Sequence, residues 1–105
     1  MGGSPTAREA AAVSRRVALT PLAGADVADA FEWYEAQQLG LGEQFLDDVG
    51  VALTLLSEFG EAGPTVHGPL RRVLLRRFPY AIYYALNHAV IEVRACLHLR
   101  RDRGA

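Results

Sequence analysis

His98 lies near the C-terminus beside Arg100 and Arg101, and a second arginine pair, Arg76 and Arg77, precedes it. Histidine titrates near neutral pH, and the planar guanidinium group suits phosphate oxygens. These residue types could hold a phosphodiester and exchange a proton with it, as an RNA-cleaving site must. A histidine at the end of a strand is also a common surface or packing residue, so both interpretations stay open.

The other reactive side chains give weaker patterns. His67 and His88 fall in a predicted loop and a predicted turn, where solvated histidine is the default. Cys96 is the single cysteine, so no internal disulfide and no zinc-type ligand spacing is expected. Cys96 is predicted to be a small buried residue and not a nucleophile. Glu32 and Glu35 have no histidine partner and are interpreted as a solvated helix face. No metal or cofactor is predicted.

Charge is distributed unevenly along the 105 residues. Residues 21–65 contain nine acids and no basic residue, whereas residues 66–105 contain eight arginines and two acids. The length suits one domain. No apolar run is long enough to cross a bilayer and no signal peptide is recognisable, so a cytoplasmic protein without a membrane partner is expected. The arginine-rich part is the expected contact surface for a macromolecule.

The first two thirds of the chain follow a strand-helix-helix pattern. Residues 1–14 are interpreted as an N-terminal extension to a domain of residues 15–105, and residues 16–20 as a first strand. Helical periodicity predicts helices over residues 23–38 and 42–59, separated by the Gly-Leu-Gly of residues 40–42. The second helix has a continuous apolar seam that is expected to be buried, formed by Phe45, Val49, Ala52, Leu56 and Phe59.

The last third has the alternating pattern of strands. Glycines and prolines indicate a loop over residues 60–69, followed by strands within residues 73–78, 81–86 and 90–99. Strict alternation in the last strand places Ile91, Val93, Ala95 and Leu97 on one face and Glu92, Arg94, Cys96 and His98 on the other. The predicted fold is α+β, in the order β-α-α-β-β-β, with a mostly antiparallel sheet covered on one face by the helical hairpin.

The uncovered sheet face is the predicted contact surface. Neighbouring antiparallel strands would bring arginines and tyrosines together, a combination found both at nucleic-acid interfaces and at protein hot spots. Pairing of the arginines with the acidic helices, or simple solvation, is the alternative. The candidate contact residues are Arg71, Arg72, Arg76, Arg77, Tyr80, Tyr83, Arg94, Arg100 and Arg101.

Three segments together resemble the RelE/ParE family of bacterial type II toxin-antitoxin toxins. They are FEWYEAQQLGLGEQFLDDV (31–49), GPLRRVLLRRFPYAIYYAL (68–86) and IEVRACLHLRRD (91–102). The Trp-Tyr pair, the Gly-Leu-Gly-x-x-Phe junction, the Arg-Phe-Pro-Tyr turn and the closing His-x-Arg-Arg-Asp follow in the family's order and spacing. The resemblance covers about residues 16–102. It implies the same β-α-α-β-β-β fold and a cognate antitoxin that neutralises the toxin.

The resemblance leaves three functional hypotheses. ParE-like members inhibit DNA gyrase without being known as nucleases. RelE-like members cut messenger RNA on the ribosome, and here that activity would depend on His98, Arg76, Arg77 and Arg100. The absence of lysine, the absence of a tyrosine after Tyr84 and the presence of Pro79-Tyr80 depart from the nuclease pattern. The sequence therefore favours a non-enzymatic, ParE-like inhibitor, and an inactive homologue that retains only antitoxin binding is the third hypothesis.

Overall fold

Two helices pack on one face of a five-stranded sheet in the computed structural model, which describes residues 15–100. The sheet order is β1-β5-β4-β3-β2, with β1 parallel to β5 and the other pairs antiparallel. The elements are β1 (Arg16–Leu19), α1 (Pro21–Gln37), α2 (Leu41–Phe59), a 3-10 turn (Gly60–Ala62), β2 (Thr65–His67), β3 (Leu70–Leu74), β4 (Tyr80–Asn87) and β5 (Val90–His98). The predicted α+β fold is confirmed. The short edge strand β2 was predicted as part of a loop.

The start of α1 is set by local chemistry. The Thr20 hydroxyl accepts a hydrogen bond from the Ala23 N–H at 3.2 Å, and Pro21 occupies the first helical turn, where a missing N–H costs nothing. The helix therefore begins at residue 21, two residues before the predicted start. Within the described residues, neither helix is long and apolar enough to cross a membrane.

The junction between the helices depends on Glu35, so its interpretation as a solvated acid was wrong. Its two carboxylate oxygens accept hydrogen bonds from the N–H groups of Gly40 and Gly42, both at 2.9 Å. These are the donors that the start of α2 leaves without helical partners, and an anion at this end also suits the helix dipole. Gly40 has φ +90°, a left-handed conformation that glycine adopts without strain.

The core forms between α1, α2 and the inner faces of β4 and β5. Four residues of the α2 seam are buried, which confirms that part of the prediction: Phe45, Val49, Ala52 and Leu56. Phe59 was expected to continue the seam but is 61% exposed. The helical period of 3.6 residues rotates Phe59 away from the sheet at the end of α2.

A bulge in β5 changes the orientation of its second half. Tyr84 lies opposite Val93 and Tyr83 lies opposite Ala95, so Arg94 is an extra residue in β5. An extra residue shifts the side-chain alternation by one position, which moves every following side chain to the other face.

The bulge corrects the predicted faces of β5. Cys96 is 2% exposed and belongs to the core with Ile91 and Val93, although strict alternation placed it on the opposite face. His98 follows Cys96 by two positions and therefore also lies on the helix-facing side. Ala95 and Leu97, predicted to face the core, lie on the other side. A sequence pattern cannot reveal a bulge that depends on the register of the neighbouring strand.

The β4–β5 turn contains the one described non-glycine residue with positive φ, His88 at +49°. We expect His88→Gly to raise the free energy of unfolding by about 0.5–1 kcal/mol, because relief of the left-handed strain exceeds the entropy cost of glycine. Thermal unfolding followed by circular dichroism measures the change. The matched control is Ala89→Gly, which has no such strain to relieve and should lower stability. A loss of stability in His88→Gly would contradict the prediction.

Candidate functional site

The segment between β3 and β4 presents Arg76 and Arg77 at one end of the sheet. The sequence predicted that β3 would continue to residue 78, but it ends at Leu74. The buried carboxylate of Asp48 in α2 accepts hydrogen bonds from the N–H groups of Arg77 at 2.8 Å and Phe78 at 3.1 Å. A turn replaces the strand because these N–H groups point to α2 instead of to a neighbouring strand, and Pro79 has no N–H to donate.

Asp48 is the residue of this site that sequence reasoning missed. It is 4% exposed and is the one buried charged residue among those described. Buried carboxylates are rare unless they are hydrogen-bonded, so its two backbone donors explain its presence in the core. The sequence feature that could have identified Asp48 is its position, since it lies on the apolar side of α2 next to Val49.

Aromatic rings of the two helices pack against the turn and the start of β4. The ring centroids of Phe78 lie 4.8 Å from Tyr34 and 5.4 Å from Phe45, and Tyr80 lies 5.1 Å from Phe45. Tyr80 therefore packs between the sheet and the helices, not on the uncovered face where the sequence placed it. Its contribution is to hold the turn, because edge-to-face ring pairs stabilise a fixed geometry.

His98 and Arg100 lie at the same end of the sheet as the turn. The Leu99 N–H donates to the carbonyl of Pro79 at 2.9 Å, and His98 pairs with Tyr80 in the sheet, with ring centroids 5.1 Å apart. His98 also lines a cleft whose other wall is α1, including Asp29 and Trp33. The four residues of the nuclease hypothesis, His98, Arg76, Arg77 and Arg100, are thus gathered at one end of the sheet.

The hydrogen bonding of His98 engages one of its two ring nitrogens. Its Nδ1 accepts a hydrogen bond from the Arg100 N–H at 3.1 Å. A neutral imidazole has one donor and one acceptor nitrogen, so Nε2 must then carry the proton. In this neutral state Nε2 is a hydrogen-bond donor, which could give a proton to a leaving group but could not take one from a ribose hydroxyl.

Cys96 has no nucleophilic character in this position. Its N–H donates to the Asp26 carboxylate at 2.9 Å, and its side chain lies in the core. Burial, with a smaller effect from the nearby charge of Asp26, raises the pKa of the thiol to about 12. The thiol therefore stays protonated near neutral pH, in agreement with its interpretation as a buried packing residue.

Arg71 holds the loop before β2, and its role in a contact surface stays a prediction. Its guanidinium group donates to the carbonyls of Glu61 and Gly63. The Tyr84 hydroxyl donates to the Gly60 carbonyl in the same loop at 2.7 Å. Burial raises the pKa of Tyr84, so its hydroxyl keeps its proton and remains a donor.

The remaining predicted contact residues fall into two groups. Arg72 pairs with Tyr83 in the sheet and Arg94 follows Glu92 on β5, to which it donates at 2.9 Å. By register these residues lie on the sheet face opposite the helices, where Tyr83 is 7% exposed and so was wrongly predicted to be an exposed contact residue. Arg76, Arg77 and Arg100 lie at the end of the sheet, and Arg101 lies outside the described residues. Arg72 also lines the cleft that contains His98 and Arg100, so the two groups adjoin, and their contact role stays a prediction.

Comparison with solved structures identifies the fold. A chain of the structure titled "Chromosomal ParDE TA system from P. aeruginosa" superposes with a TM-score of 0.68. The match covers 82% of this chain and 97% of that chain, at 17% sequence identity. The sequence matches no protein-family model and none of the curated proteins compared with it. At this identity the likeness establishes a shared fold.

Proposed function

We propose that this chain is the toxin of a type II toxin-antitoxin pair and that it inhibits DNA gyrase by binding to it. The observation that carries the proposal is the fold, which is shared over nearly the whole length of a chain from a ParDE toxin-antitoxin system. The Trp-Tyr, Gly-Leu-Gly-x-x-Phe and Arg-Phe-Pro-Tyr motifs, which resemble the RelE/ParE family, support it independently. In this proposal an antitoxin binds the toxin and neutralises it.

Inhibition by binding is favoured over catalysis because the acceptor nitrogen of the His98 ring is already engaged by a backbone N–H. The Nδ1 atom of His98 accepts the Arg100 N–H, so in the neutral ring Nε2 is the donor nitrogen. Arg76 and Arg100 are exposed at this end, and Asp48 fixes the turn that carries Arg76. An arginine on a fixed backbone is suited to contact a macromolecule, since little backbone freedom is lost on binding.

A ribosome-dependent ribonuclease of the RelE type is the second candidate. It is favoured by the gathering of Arg76, Arg77, His98 and Arg100 at one end of the sheet. Such an enzyme would need His98 to change its tautomer, breaking its hydrogen bond with the Arg100 N–H. The two candidates therefore differ in their dependence on the His98 ring.

The target is tested with purified gyrase and with cells that express the chain from an inducible promoter. We expect inhibition of gyrase supercoiling in vitro, and DNA damage before translation declines in cells. Arg76→Glu and Arg100→Glu should each weaken inhibition at least tenfold. Arg16→Glu is the matched control, since Arg16 is exposed at the opposite end of the sheet. Early transcript cleavage with unaffected gyrase would replace this proposal with the ribonuclease, and no toxicity at all would favour an inactive homologue.

His98 provides a separate prediction. We expect His98→Asn to remain toxic, because an amide oxygen can still accept the Arg100 N–H while the ionisable ring is gone. Growth after induction, and the amount of folded protein, are measured for this variant and for His98→Ala. Loss of a catalytic acid or base lowers activity by roughly 10²–10⁴-fold. If both variants are folded and harmless, His98 is catalytic and the binding proposal fails.

A further inference from the structure

One flank of α2 has a line of exposed apolar side chains. Val51, Leu55 and Phe59 are 46%, 41% and 61% exposed. A spacing of four residues places them one above another on the helix surface. We call these three residues the α2 stripe. Scattered exposed apolar residues need no explanation, but a continuous line on one helix flank indicates a contact surface.

A shallow depression adjoins the α2 stripe. It is lined by Asp47, Gly50, Val51 and Thr54, with Leu46 and Leu55 at its ends. Residues at positions i, i+3, i+4 and i+7 form the hole into which one side chain of a packed helix inserts. A Cβ atom built on Gly50 would meet no atom within 4 Å, so the hole is open. The geometry suits an apolar side chain from another helix.

Acidic side chains border the stripe, and the nearest arginine at the end of α2, Arg15, pairs with Glu61. Glu43, Asp47 and Glu58 are exposed, and none of them forms an ion pair within residues 15–100. No lysine or arginine occurs anywhere between residues 21 and 70. Glu58 lies in the last turn of α2, where the helix dipole disfavours an anion. Glu58 and Phe59 are thus two neighbouring residues whose placement is locally unfavourable in the free chain.

We infer that the α2 stripe binds an amphipathic helix of the antitoxin, with basic residues that meet Asp47 and Glu58; this inference rests on the proposed function. Asp47 and Glu58 are separated by about 16 Å along α2, so the bound helix needs about three turns between its basic residues. Its apolar face covers the stripe and inserts one side chain at Gly50. A second copy of this chain fits poorly, because the same acids would face each other across a symmetric contact.

The test uses the protein encoded by the reading frame adjoining this gene, co-expressed and purified with the full chain. We expect Leu55→Glu and Phe59→Glu to weaken the complex at least tenfold in titration calorimetry, because both place a charge in an apolar contact. Leu39→Glu is the matched control, since Leu39 is 89% exposed and lies in the link between the helices. Circular dichroism establishes that each variant is folded.

Charge reversal tests the chemistry of the partner. Asp47→Arg with Glu58→Arg should weaken the complex at least tenfold, whereas Glu32→Arg, which reverses an exposed acid of α1, should not. If the wild-type pair forms and the stripe variants bind normally, the inference is wrong while the toxin-antitoxin proposal stands. If the wild-type chain binds no adjoining gene product, the proposed function itself fails. A homodimer in native mass spectrometry that Leu55→Glu dissociates would also overturn the inference, in favour of a second copy.

Discussion

Asp48→Ala is expected to lower the free energy of unfolding by about 2–4 kcal/mol, because two backbone N–H groups lose a buried, charged acceptor. The N–H groups of Arg77 and Phe78 donate to this carboxylate at 2.8 and 3.1 Å, and Asp48 is 4% exposed. For a domain of this size the loss corresponds to a melting temperature lower by roughly 10 °C or more. Chemical denaturation followed by circular dichroism measures it.

The neighbouring residue provides the control for Asp48. Asp47 is exposed and accepts no hydrogen bond from the turn, so Asp47→Ala should change stability by less than about 0.5 kcal/mol. A melting temperature for Asp48→Ala within 2 °C of that for Asp47→Ala, a tolerance of roughly 0.5 kcal/mol, would show that the turn does not depend on this carboxylate.

Asp48 also connects stability with the proposed function. Its carboxylate joins α2 to the turn that presents Arg76, so its removal frees the backbone that positions the arginine. We expect Asp48→Asn to retain part of the fold, since an amide oxygen still accepts hydrogen bonds, but to bind the target more weakly than wild type. The amount of gyrase inhibition per folded molecule distinguishes this positioning effect from simple loss of folded protein.

Gly42→Ala is the second change with a large expected effect. A Cβ atom at residue 42 would lie 2.7 Å from both the Phe31 ring and the Phe31 carbonyl oxygen, and 2.9 Å from Oε1 of Glu35. The carbonyl belongs to the backbone of α1, so the two helices must separate. Such overpacking costs about 1–3 kcal/mol, and displacement of Glu35 adds the loss of its hydrogen bonds to the start of α2. We expect a net loss of about 2 kcal/mol in denaturant unfolding.

A glycine-to-alanine substitution elsewhere in α2 should instead raise the free energy of unfolding. A Cβ atom at Gly50 meets nothing within 4 Å, so Gly50→Ala gains the helix propensity of alanine, about 0.5–1 kcal/mol, at no steric cost. Comparison of Gly42→Ala with Gly50→Ala therefore separates the effect of helix propensity on stability from the effect of helix packing. If both variants are stabilised, the close contact between Gly42 and Phe31 does not limit helix packing in solution.

The elements of the fold could be predicted because the signals are local. Apolar spacing placed the helices and β5 within about two residues, and Pro21 and the Gly-Leu-Gly segment indicated where the chain would turn. The buried state of Phe45, Val49, Ala52 and Leu56 follows from the same periodicity. The opposite charges of the helical and strand parts are a property of composition alone.

The candidate site depended on contacts between distant parts of the chain. Asp48 and Arg77 are 29 residues apart, and no pattern around Arg77 indicates that its N–H will turn toward α2. The bulge at Arg94 exists only in relation to the register of β4, yet it moves Cys96 and His98 to the helix-facing side.

Sequence by itself thus determined which segments become helices and strands and where the charges lie along the chain, since both depend on neighbours a few residues away. Only the tertiary structure decided which arginines share a surface, which acids are buried and why Phe59 remains exposed. Those properties depend on strand register, helix rotation and long-range hydrogen bonds, which are set when the elements pack together.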